Sequence, residues 1–177
     1  ELLKADLLIA ATGVKPNLDL LAGSGIAHQW GIQVDATLRT NVADIYAAGD
    51  VIETPNRLTG QRLVHAIFSN AVEQGRVAGM NLAGFSTVYE GAERMNSLKH
   101  LGLPIMAVGE KQGDSVLHQR NGNNIRTLYL QDNCLVGFQL VGDIRSAGVL
   151  RSLLIQHREV TSLLDHLLET NFGAGMA

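Results

Sequence analysis

Residues 37–50 read TLRTNVADIYAAGD. Within them Asp44–Ala48 is a short apolar run that Gly49-Asp50 stops, and its length and flanks predict a buried strand rather than a helix. A strand ending in Gly-Asp sets a carboxylate at the carboxyl edge of a sheet, where open α/β sheets bind ligands. There Asp50 can accept hydrogen bonds from sugar-like hydroxyls. Gly49, lacking a Cβ, lets a ligand come close. Gly-Asp alone reads equally well as a turn or cap, since turns favour both residues.

Working outward, Ala5–Ala11 is another apolar run and predicts a buried strand ending at Thr12-Gly13. Pro16 forces a turn, because the residue before proline avoids the helical region. Leu18–Ala22 predicts one helical turn and Gly31–Val34 a strand, with Asp35–Arg39 as its continuation or the hairpin back. Val64–Ala83 has helical periodicity, with Gly84 as its stop. Ala71, Gly75, Ala78 and Gly79 give that helix a small-residue face suited to close packing.

After Thr87 the texture changes. Leu103–Val108, Asp114–Arg120, Ile125–Gln131 and Cys134–Val141 predict strands, the last three separated by the turn dipeptides Asn121-Gly122 and Asp132-Asn133. Ser146–His157 and Val160–Glu169 predict two amphipathic helices, and residues 171–177 a frayed tail. The expected organisation is therefore an incomplete α/β unit over residues 1–87, followed by an α+β unit over 88–177, an antiparallel meander plus helices. The opening ELLKADLLIAATG, without a methionine and close to a hydrophobic run, reads as a piece of a longer protein.

Composition sets the class. Of 177 residues 46% are hydrophobic, enough for a packed core, and the net charge of −3 with 5% aromatics argues against nucleic acid or an anionic membrane as partner. The single cysteine, Cys134, cannot form an internal disulfide or a CxxC pair, which points to a reducing, cytoplasmic setting. It reads as a passive small residue beside a turn. No apolar run reaches the length of a membrane helix. The six histidines show no metal spacing such as HExxH and read as surface or internally satisfied side chains.

Ala11-Thr12-Gly13 with Pro16-Asn17, Gly31-Ile32-x-Val34-Asp35, Thr40 and Ile45-Tyr46-Ala47-Ala48-Gly49-Asp50, in that order and spacing, closely resemble the FAD-dependent pyridine nucleotide-disulfide oxidoreductase family. The resemblance implies a partial FAD/NAD-binding domain in residues 1–87. It implies that Asp50 bonds a ribityl hydroxyl of FAD, beside Gly49, and that the Val51 main chain faces the diphosphate. Thr12 and Gly13 correspond to a crossing near the cofactor, and otherwise to an ordinary strand exit. Phe68-Ser69-Asn70, with Gln74-Gly75-Arg76 after it, corresponds to a helix whose N-terminus points at the flavin pyrimidine. A positive helix end there favours the charge of a reduced flavin. The plain alternative is an amphipathic helix capped by Ser69.

No GxGxxG is present: Gly23-Ser24-Gly25 breaks the pattern. The family's two glycine-rich dinucleotide motifs would lie before Glu1, so the segment holds the closing part of a flavin site and is expected to bind FAD weakly alone. No counterpart of the His-Glu pair of the disulfide-reducing branch is found. Gly102-Leu103-Pro104, Leu135-Val136-Gly137-Phe138, Val141-Gly142-Asp143 and Ala147-Gly148-Val149-Leu150 resemble instead the C-terminal domain of NADH:rubredoxin reductases and NAD(P)H-nitrite reductase flavoproteins. The implied activity is electron transfer from NAD(P)H through FAD to an acceptor protein or small oxidant. The alternative is a non-catalytic module in 88–177 that forms a homodimer or docks a redox partner. The electron acceptor and the choice between NADH and NADPH stay open.

Overall fold

A computed structural model describes residues 3–100, 102–173 and 175. It contains two sheets, each with its own core. The first sheet has β1 (Ile32–Gln33), β2 (Ile52–Pro55) and β3 (Arg62–Val64), with β1 parallel to β2 and β2 antiparallel to β3. The helix α1 (Phe68–Leu82) follows at once. Its Val77 and Ala78 pack with Leu21, Ile32, Val34, Leu38 and Ile52 as the first core, joined by Tyr89 and Ala92.

The second sheet orders its strands β4 (Met95–Leu98), β5 (Ile105–Gly109), β8 (Cys134–Val141), β7 (Asn124–Gln131) and β6 (Ser115–Asn121), all antiparallel. Leu128 and Leu130 of β7 and Phe138 and Leu140 of β8 face one side, and the register shift at Tyr129/Leu130, which leaves Val136 unpaired, brings Leu135 into the same core. There they bury against α2 (Ala147–Ile155) and the turn-rich segment ending in α3 (Leu164–Leu167). The link from β7 to β8 is Asp132-Asn133, both with positive φ, as a two-residue type I′ hairpin turn demands.

Several sequence expectations are realised in different form. Ala5–Ala11 is not a strand: Leu7, Leu8 and Ile9 are exposed and residues 3–16 make no hydrogen bond among the described residues. A strand needs a neighbour to take its N–H and C=O groups, and none is present there. Asp44–Ala48 likewise forms only one bridge, Arg39 to Tyr46, instead of a strand. The helix begins at Phe68 rather than Val64, because Arg62–Val64 pairs with β2. Val160–Glu169 is not one helix but a 3₁₀ turn, Thr161–Leu163, and the single turn of α3. Of the expected small-residue face, Ala78 is in the core, whereas Gly75 and Gly79 have open space beside them.

Gly84 does stop α1. At φ +87° it donates to Asn81 O at 3.0 Å while Phe85 donates to Met80 O at 3.0 Å, the paired bonds of a Schellman cap.

Candidate functional site

The Gly49–Val51 turn is built from both sides. Upstream, the loop Asp35–Ala47 folds on itself. The Asp35 carboxylate accepts the Thr37 hydroxyl at 2.7 Å and the Thr37 and Arg39 N–H groups at 2.8 and 3.0 Å. Partial burial pushes that carboxyl up, but these bonds and the Arg39 charge outweigh it, so its pKa lies below the usual carboxylate value. Leu38, at φ +65° and fully buried, plugs the loop into the first core. Thr40 closes it, its N–H donating to Ile45 O at 2.9 Å. Downstream, Ile32 N–H donates to Val51 O at 2.8 Å, fixing the turn to the start of the sheet.

Gly49 has φ +87°, a conformation that side-chain-bearing residues seldom adopt. Its N–H donates to the Gln74 side-chain oxygen of α1 at 2.8 Å, and a Cβ added there would stand 3.9 Å from the Ala71 Cβ. The turn thus lies against the first two turns of α1. The Asp50 carboxylate is exposed and makes no hydrogen bond or ion pair with the described residues. The backbone N–H groups of Asp50 and Val51 also have no partner among them.

The N-terminus of α1 is equally open. Its cap position is Ile67, in extended conformation, and no side chain caps it, so Ser69 is not the cap. Phe68, the first residue of α1, is 85% exposed. Uncapped N–H groups at the positive helix end form an acceptor-binding and anion-binding position.

The structure therefore sets the Gly49–Val51 turn against Ala71 and Gln74 of α1, the helix that begins with Phe68 and Ser69. Among the described residues no hydrogen bond links Thr12 or Gly13 to that turn. Both are exposed on a segment with no hydrogen bonds among the described residues. The exposed carboxylate, the two N–H groups without a protein partner and the uncapped helix end suit a ligand with hydroxyl donors and anionic oxygens, as a flavin dinucleotide has. Among the described residues no group of three His, Cys, Asp or Glu side chains is placed to hold a metal, and no helix is long and apolar enough to cross a membrane.

Sequence reasoning missed three features nearby. Gln74 was legible only as part of a Gln-Gly-Arg segment, and its tether to Gly49 bridges 25 residues of sequence. Glu53 looks like a surface carboxylate but is buried in β2, accepting the Gly31 N–H at 2.7 Å and the Trp30 N–H. His65 is buried just before α1, with its Nε2 unpaired. Burial lowers its pKa and the Arg94 charge lowers it further, against a hydrogen bond with the Thr54 backbone, so it is held neutral. It lines a groove of about 660 Å³ between the β3–α1 junction and β5, with Arg94, Gly109 and Glu110.

Known proteins match this chain in sequence and in fold. A family model described as pyridine nucleotide-disulphide oxidoreductase matches residues 1–75. The epsilon subunit of NADH-dependent phenylglyoxylate dehydrogenase from Aromatoleum evansii is 33% identical over 181 residues, covering 98% of this chain and 43% of that protein. NADH-rubredoxin oxidoreductase from Clostridium acetobutylicum is 30% identical over 147 residues, covering 81% of this chain and 37% of that one. Among solved structures, an FAD-dependent pyridine nucleotide-disulphide oxidoreductase from Desulfovibrio vulgaris superposes with a TM-score of 0.76 at 28% identity, over 94% of this chain and 46% of that one. The chain thus spans less than half the length of these relatives.

Proposed function

We propose that this chain, whose residues 1–75 match the pyridine nucleotide-disulphide oxidoreductase family model, forms the closing wall of an FAD site in an NAD(P)H-dependent electron-transfer flavoprotein of that family. One observation carries this reading: the Asp50 carboxylate and the Asp50 and Val51 N–H groups, unpartnered among the described residues, sit on a turn that Gln74 ties to α1, a helix whose N-terminus no side chain caps. Asp50 would accept ribityl hydroxyls, the Asp50 and Val51 N–H groups would face the diphosphate, and the α1 end carrying Phe68 and Ser69 would face the flavin ring. Thr12 and Gly13 stay in the proposal only as a segment that a larger nucleotide-binding fold would bring to the cofactor. FAD, when bound, accepts a hydride equivalent from NAD(P)H and hands electrons on.

We propose further that residues 1–87 complete this fold and 88–177 form an interface unit, with Tyr89–Ala92 as a strap returning to the first core. An acceptor protein and a homodimer partner are assigned to that second unit, and the whole protein to the cytoplasm. The matches named for NADH-rubredoxin oxidoreductase and a nitrate reductase electron-transfer subunit support a small redox protein as acceptor.

The test is to purify the protein together with the remainder of its nucleotide-binding fold and measure bound flavin and its reduction by NADH and by NADPH. Stoichiometric FAD, reduced by one of them and reoxidised by a rubredoxin-type acceptor, is the expected result. A protein that binds no flavin contradicts the reading.

A further inference from the structure

Three amide side chains on one face of α1 each hold a different loop. Asn70 donates to Glu93 O at 2.9 Å and accepts the Glu93 N–H at 3.1 Å. Asn81 donates to Thr37 O and Thr87 O, both at 2.8 Å, and accepts the Thr87 N–H at 2.8 Å. Between them, the Gln74 oxygen accepts the Gly49 N–H at 2.8 Å and its NH₂ donates to the Tyr89 hydroxyl at 3.2 Å. Positions 70, 74 and 81 fall on one side of a helix, so the three form a ladder along it.

The Gln74 rung differs from the others in what it holds. Its loop carries the Asp50 carboxylate and the Asp50 and Val51 N–H groups, which have no partner among the described residues. Gln74 is 1% exposed, so it contributes no surface of its own. Its amide orientation follows from the chemistry: Gly49 can only donate, so the side-chain oxygen must face it, and the NH₂ then faces Tyr89. Burial pushes the Tyr89 phenol above its ordinary value despite the Gln74 bond, so it stays a neutral hydroxyl able to accept.

We infer that Gln74 is a positioning residue for Asp50: the Tyr89–Gln74–Gly49 chain of hydrogen bonds fixes the left-handed Gly49 and thereby aims the Asp50 carboxylate and the two free N–H groups at their ligand. This rests on the flavin reading above. Without Gln74, the Gly49 N–H loses its partner and the turn keeps only its bonds to the sheet start.

Two measurements test it on three variants. Gln74→Leu removes both bonds at similar volume. Gln74→Glu, ionised or protonated, keeps an acceptor toward Gly49 and a partner for Tyr89. Asn81→Leu removes another rung of the same ladder, away from Asp50. On this chain, amide hydrogen exchange at Gly49 should accelerate by about tenfold or more in Gln74→Leu and stay near wild type in Gln74→Glu and Asn81→Leu. In the full-length flavoprotein the FAD dissociation constant should rise about tenfold in Gln74→Leu alone. Unchanged Gly49 exchange in Gln74→Leu overturns the inference. So does unchanged FAD affinity in Gln74→Leu when Asp50→Ala weakens it, which leaves the flavin reading standing. If Asp50→Ala also leaves FAD affinity unchanged, the flavin reading itself fails.

Discussion

Arg151 of α2 donates to the Glu93 carboxylate through Nε and Nη2, both at 2.8 Å, across 58 residues of sequence. The same carboxylate accepts from Arg57, between β2 and β3, at 3.2 Å. Glu93 thus joins the first sheet's loop to the helix of the second core, just after Ala92 closes the first core. Its side chain is only 14% exposed, so this pair is less screened than a surface one.

Glu93→Ala should therefore destabilise the chain by about 1–3 kcal/mol, more than an exposed ion pair contributes, because two guanidinium groups lose a partly buried partner. Urea unfolding of wild type and variant at equal pH measures it. Glu73→Ala, whose partner Arg76 sits with it on the exposed side of α1, should shift stability by under about 1 kcal/mol.

Gly137 in β8 has no room for a side chain: a Cβ there would lie 1.8 Å from Glu110 O. The opposing backbone, not a movable side chain, fills the space. Gly137→Ala should force the β5–β8 pairing apart and cost about 3 kcal/mol or more, read as a lower Tm and lost amide protection in β5. Gly122→Ala lacks this clash and is limited to the strain of φ +59°, so its cost should be smaller, about 1 kcal/mol.

Asp143 gives a pH dependence of definite sign. Side-chain and backbone hydrogen bonds from Arg145 hold its carboxyl down at about 2, against an ordinary 3.8. A carboxyl with a lowered folded-state pKa contributes stability above 3.8 that is lost as pH falls toward 2. The Tm difference between wild type and Asp143→Asn should be constant near neutrality and shrink as pH is lowered through that window. A difference that grows on acidification contradicts the assignment.

The hairpins of the second sheet were readable because they are local. β6, β7 and β8 pair with their sequence neighbours, and Gly122 and Asp132-Asn133 supply the positive φ their two-residue links need. β2 was not readable, since Glu53, Thr54 and Pro55 look like a loop, and only distant partners make Glu53 and Thr54 buried strand residues. β4 hides for the opposite reason: Asn96, Ser97 and Leu98 are an exposed edge with no alternation to detect. Ala5–Ala11 and Asp44–Ala48 have strand composition but no neighbouring strand among the described residues. At the site, Gly49-Asp50 and the α1 start were visible as motif, while Gln74 and Tyr89 act through contacts that no spacing encodes.

The central claim is that Asp50 is a flavin ligand, and FAD titration of the full-length protein tests it most directly, comparing wild type with Asp50→Ala. Asp50 bonds to none of the described residues, so its removal should leave Tm without ligand within about 1 °C. The account predicts an FAD dissociation constant raised about tenfold to a hundredfold, the loss of one or two hydrogen bonds to a charged acceptor. An Asp50→Ala protein that binds FAD as tightly as wild type would contradict it.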